Sequence, residues 1–174
     1  MAIRNWPDLT SILRDIPWAV VGGVATRTYM PERATQDLDI LVAQSDALNV
    51  HARLRSGGFV YIQDLSIGGT VWQTPEGILL DIVESSEPWV SEALEKIQTD
   101  AQGFPVLSLP YLVLMKVMAS RTQDLADASR MLGLASDAER QATREAFKRW
   151  WPGALEDLES LIVLGELETG TPSP

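Results

Sequence analysis

Apolar residues fall in short, dense blocks through the first two thirds of the chain and at helical intervals after that. The blocks Trp18–Val21, Asp37–Val42, Phe59–Leu65, Thr70–Thr74 and Ile78–Val83 read as strands, the last two joined by a Thr-Pro-Glu-Gly turn. Leu9, Ile12, Leu13 and Ile16 predict a first helix over 5–15, with Pro7 near its start. A second helix is expected over 24–30, closed by Pro31. A third should run from an N-cap at Ser45 to Arg55, stopped by Gly57-Gly58, and a fourth from Glu87-Pro88 through Ile97. Phe104–Leu107 reads as a short edge strand because it carries Pro105. Beyond Leu109 the pattern is helical: one long helix over 111–132, another over 138–151 opened by Ser136 and Asp137, and a last one over 154–167. The fold class is therefore α+β, a mixed sheet flanked by helices with a helical C-terminal third. No linker is evident, so 1–168 is read as one domain, with a core over about 17–108, a helical part over about 109–168 and a flexible tail over 169–174.

Length and composition narrow the chemistry. The 174 residues include no cysteine and one histidine (His51), which removes thiol catalysis, disulfides and Cys- or His-based metal sites. The formal charge of −10 argues against a surface that coats nucleic acid, while leaving room for an RNA held by a local basic patch. No apolar run reaches the ~18 residues of a membrane span, so no membrane partner is expected. The N-terminus lacks a basic segment followed by an apolar one, so no signal peptide is expected and a cytoplasmic location is the default.

Asp37 and Asp39 stand two apart on a strand, so they share one face, with Leu38 and Ile40 on the other. Two carboxylates so placed resist ionising together, and a divalent cation relieves them; Mg²⁺ is held in this way, with substrate phosphates completing its shell. Gly22-Gly23 lies one strand earlier. A backbone without Cβ atoms lets a phosphate approach the N–H groups of the following helix, where the dipole favours an anion.

Gly22-Gly23 followed by Arg33-x-Thr35-x-Asp37-x-Asp39 resembles the signature of the DNA polymerase beta-type nucleotidyltransferase superfamily, closest to its small bacterial toxin-like branch of abortive-infection and toxin–antitoxin systems. The resemblance implies a nucleotidyltransferase fold and Mg²⁺-dependent transfer of a nucleoside monophosphate from an NTP such as ATP to a hydroxyl, with pyrophosphate released. Two ions are implied, with Mn²⁺ as a substitute. The acceptor stays open between tRNA, a protein and a small molecule, and an antitoxin or cognate protein is an implied partner. The alternative is a non-catalytic nucleotide- or partner-binding protein of the same fold.

A two-ion site needs a third acid. Asp81, in the apolar run Ile78–Val83, is the candidate, with Glu84 as the fallback and Asp64 weaker. The catalytic and metal-binding set is thus Asp37, Asp39 and Asp81. The nucleotide-binding set is Gly22, Gly23, Arg33, Thr35 and Lys116. Arg33 and Thr35 would touch phosphate or orient Asp37, with Arg33 equally able to pair with the acids. Lys116 opens a polar stripe with Ser120, Gln123, Asp124 and Asp127, and either meets phosphate or lies along a solvated helix face. The segment after Lys116 resembles a second element of the superfamily, with Gln123 standing where many relatives carry a lysine. The six tryptophans read as core, Trp72 being the candidate to meet a substrate base, and His51 reads as surface.

Overall fold

The computed structural model describes residues 6–31 and 35–170. Its elements confirm the α+β class. Among the described residues seven strands form one mixed sheet: β1 (Trp18–Val21), β2 (Asp37–Ala43), β3 (Val60–Asp64), β4 (Gly69–Gln73), β5 (Leu79–Ser85), β6 (Gln98–Thr99) and β7 (Pro105–Val106), in the spatial order β3-β4-β5-β2-β1-β7-β6. β2 runs antiparallel to β1 and parallel to β5. The middle of the sheet is apolar because it is covered, and Trp18, Val20, Ile40, Val42, Leu80 and Ile82 are all buried. No helix among the described residues is long and apolar enough to cross a membrane.

The chain divides into two compact units. The first takes residues 1–24 and 33–106 and holds the whole sheet with α2 (Ala47–Ser56) and α3 (Val90–Glu95). The second takes 25–32 and 107–174 and holds α4 (Leu109–Ala119), α5 (Thr122–Leu134), α6 (Asp137–Trp150) and α7 (Leu155–Thr169). α1 (Gly22–Thr26) begins in the first and ends in the second.

Several local expectations are corrected. Within the described part of 5–15 the chain forms successive turns instead of a helix. The Asp8 carboxylate accepts from the Thr10 amide, offering the backbone a competing turn, and Asp15 sits at φ 65°. Leu9, Leu13 and Ile16 are buried all the same. The helix expected over 24–30 starts earlier, on the two glycines, and is one short turn. α2 is capped by Asp46, not Ser45, and without a side-chain cap bond. β7 is not at the edge: it lies between β1 and β6, and β6 went unanticipated because Gln98-Thr99 has no apolar signature. The helix expected over 111–132 is two helices, broken where Ser120 adopts a left-handed φ of 56°. By contrast, Ser136 and Glu139 form the reciprocal capping box that opens α6.

In the helical unit α5 and α7 cross through glycine. A Cβ on Gly165 would lie 2.0 Å from the Ser129 carbonyl oxygen, and one on Gly133 would lie 2.2 Å from the Gly165 carbonyl oxygen. Buried Arg140 of α6 binds the ends of both helices, donating to the Leu132 and Gly133 carbonyls at 2.9 and 3.2 Å and to Glu166 at 2.8 Å. It thereby satisfies carbonyls that a helix C-terminus leaves without partners. Gly165→Ala would gain up to ~1 kcal/mol of helix propensity, yet it drives a methyl into fixed backbone. The expected net result is a loss of about 1–3 kcal/mol in urea unfolding, whereas Gly153→Ala, with open space around it, leaves the midpoint in place.

Candidate active site

The register of β2 assembles the acidic face. Asp39 lies directly beside Asp81 on parallel β5 and Asp37 beside Leu79, so Asp37, Asp39 and Asp81 project from one side of the sheet. On the other flank Asp39 is paired with Val21, the residue just before Gly22. All three carboxylates are half-buried, and this face of β5 also carries the exposed Leu79.

Gly22 is what lets the first turn of α1 meet this row. It adopts φ 61°, and a Cβ there would sit 2.0 Å from Asp39 Oδ2. The glycine is therefore required twice, for its left-handed backbone and for the space the carboxylate fills. Gly23 is buried beside it. With five residues, α1 is too short for the dipole argument to carry weight; what remains of the expectation is backbone brought close to a carboxylate.

Thr35 orients Asp37: its hydroxyl lies 3.2 Å from Asp37 Oδ1 and 3.4 Å from the Asp37 carbonyl oxygen. Arg33 lies outside the described residues. Burial pushes the Asp81 carboxyl above its ordinary range, and the charge of Asp37 pushes it the same way. Among the described residues, no three His, Asp or Glu side chains are already gathered into a metal-binding group. The acidic row does offer the donor type that a hard divalent cation takes. Its ligands would all be oxygens, from adjoining strands about 4.8 Å apart.

The opposite face is sealed. Glu84, three residues beyond Asp81, points away from the acidic row and is bound by His51 Nε2 at 2.6 Å and by the Thr70 hydroxyl at 3.0 Å. Thr70 in turn accepts from Trp72 Nε1 at 2.9 Å, and the His51 and Trp72 rings pack at 5.5 Å. So His51 is not a surface residue: it closes a polar network beneath α2. Trp72 is fully buried and presents no face to a base. Asp64, on exposed β3, binds the Tyr61 hydroxyl. The network was hidden because its members come from α2, β4 and β5, and no spacing links them.

In the helical unit Lys116 is neither snorkelling nor open. It is buried, with Asp124 Oδ1 at 3.1 Å and Asp127 Oδ2 at 2.9 Å. Gln123 donates to the second Asp127 oxygen at 2.9 Å, and Arg121 pairs with Asp124. The polar stripe is thus an ion-pair knot across the break at Ser120.

No family model matches the chain, and no curated protein matches it. Among solved structures it is similar to ANT(2″)-Ia in complex with adenylyl-2″-tobramycin, at 15% identity and a TM-score of 0.49, over 92% of this chain and 94% of that one. It is also similar to the lincosamide antibiotic adenylyltransferase LnuA, lincomycin-bound, at 13% identity and a TM-score of 0.47, over 74% and 92%. A third similarity is to the Megavirus polyadenylate synthase, at 9% identity and a TM-score of 0.39, over 92% of this chain and 32% of that one.

Two outcomes follow from this geometry. Because folding raises the Asp81 pKa, the native state holds that proton more tightly than the unfolded chain. The contribution is favourable below the ordinary value of 3.8 and is lost as pH rises through the folded value. With a chelator present, Asp81→Asn should therefore raise the thermal midpoint at neutral pH, and the gain should vanish in acid below pH 3.8. Lys116→Met leaves two buried carboxylates facing each other and should cost about 3–5 kcal/mol in denaturant unfolding.

Proposed function

We propose that the chain is a nucleotidyltransferase that moves a nucleoside monophosphate from an NTP, with ATP the first to test, onto an acceptor hydroxyl. What supports this reading most is a single juxtaposition: the Asp39 carboxylate lies beside Asp81 in register and fills the space where Gly22 lacks a Cβ. Triphosphate and acids would otherwise repel. Bound by Asp37, Asp39 and Asp81, Mg²⁺ or Mn²⁺, as a pair of ions, would supply the neutralising charge. Gly22 and Gly23 present backbone to the phosphates. Thr35 holds Asp37 in its rotamer, and Arg33 is assigned to phosphate. Asp81 is assigned to take the proton from the acceptor hydroxyl. The hydroxyl oxygen bonds the α-phosphorus in line, the bond to the bridging oxygen breaks, and pyrophosphate leaves. Lys116 is left to its ion pairs.

The acceptor is a tRNA, a protein or a small molecule, and the biological setting assigned is a cytoplasmic toxin–antitoxin or abortive-infection system with a cognate protein partner. A second reading, a catalytically silent nucleotide- or partner-binding protein, is favoured by the acids not being gathered into a metal-binding group.

Incubation with α-labelled NTPs, Mg²⁺ and cell lysate tests both. Asp39→Asn should lose label transfer by at least about 10²-fold, while keeping its unfolding midpoint and its circular dichroism spectrum. Transfer that survives in Asp39→Asn defeats the enzymatic reading. Nucleotide binding by calorimetry with no transfer to any acceptor favours the silent one.

A further inference from the structure

α7 is apolar on two opposite sides. Leu158, Leu161, Ile162 and Gly165 are buried, and this side includes the glycine crossing with α5. Half a turn away, Val163, Leu164 and Leu167 stand 54%, 56% and 75% exposed. At spacings of one, three and four they form a row along a single face, continued toward the helix start by exposed Ser160 and Glu156. A helix that is apolar all round is normally covered. This one is covered on one side.

The row leads into a cavity. Asp157 and Ser160 of α7 line a recess of about 290 Å³ together with Val117, Ser120, Leu125 and Trp151. Its floor is aliphatic, its rim carries an indole 37% exposed, and Asp157 supplies a carboxylate. An indole face next to a carboxylate suits a guanidinium or ammonium carried on an apolar stem. From Asp157 to Leu167 the surface runs about 15 Å along the helix, the length of roughly three turns of a partner.

Charge decides what the partner is. Glu168 and Glu159, which flank the row, are already paired with Arg130 and Arg144, so the negative charge left to a partner is that of Asp157 and exposed Glu156, in a chain of net −10. α7 itself carries no Lys or Arg, so a second copy laid across it by two-fold symmetry would bring no cation of that helix to Asp157. We propose that the cavity at Trp151 and Asp157 and the row Val163, Leu164, Leu167 form one docking surface for a basic amphipathic helix of another protein, with an Arg or Lys in the cavity and aliphatic residues on the row. This is the helix-in-groove mode, with affinity from the aliphatic anchors and orientation from the cation. It does not depend on the nucleotidyltransferase reading.

The test uses the full chain and a labelled synthetic peptide of about five helical turns, with leucines at i, i+3, i+4 and i+7 and arginines elsewhere, followed by anisotropy at about 0.15 M salt. A matched peptide with glutamates for arginines is the charge control. Saturable binding of the basic peptide is expected. It should weaken about tenfold or more in Leu164→Ser/Leu167→Ser, in Trp151→Ala and in Asp157→Lys. Glu76→Lys, on the remote β4–β5 turn, makes the same charge change and should alter binding by less than about twofold. Equal weakening by Glu76→Lys, or unchanged binding in the surface variants, overturns the proposal. So does a stable dimer in sedimentation that Leu164→Ser/Leu167→Ser dissolves, because the face would then belong to a second copy.

Discussion

Repulsion between carboxylates is the constraint on which the sheet unit turns. Parallel pairing of β2 with β5 sets Asp39 beside Asp81, and strand alternation adds Asp37 to the same side. Like charges in that row oppose one another, with the Thr35 hydroxyl reaching Asp37. The apolar strands around them raise the cost, since burial already holds the Asp81 proton back. A fold that keeps such an arrangement gives up stability locally, and a glycine at φ 61° pressed against one of the acids adds a second local demand. Both costs fall at one place, the junction of β1, α1 and β2.

The two sides of the sheet treat their acids in opposite ways. Glu84 sits on the same strand as Asp81, yet it is satisfied by a hydroxyl and by the imidazole of His51, which itself packs on Trp72. One strand therefore carries a carboxylate bound by side chains of α2 and β4 and another set between Val71 and the Asp39 carboxylate of the next strand. This division separates Glu84, tied into the fold by its hydrogen bonds, from Asp81, which register places in the acidic row.

The sheet strands could be read from the chain because their cause is local: alternation, diglycine stops and the Thr-Pro-Glu-Gly turn each act over a few residues. The shared face of Asp37 and Asp39 was legible for the same reason, being a property of one strand. Addition of Asp81 needed the pairing of distant strands, and there the motif resemblance supplied what periodicity lacks. What stayed hidden was tertiary. His51 looked like a polar helix residue because Glu84 is 33 positions away. The break at Ser120 was masked by an apolar stripe that continues through it. Lys116 was misread as open because the two aspartates that bury it lie beyond that break.

The glycine contact between α5 and α7 has a consequence for evolution as well as for packing. With carbonyl oxygens where side chains would otherwise stand, neither helix can rotate or slide without a collision. The outward aliphatic residues of α7 are thereby locked in azimuth, like teeth on a keyed shaft. Whatever meets them finds a template already set, and drift in the amino acids of that face can alter what is recognised without loosening the helices beneath.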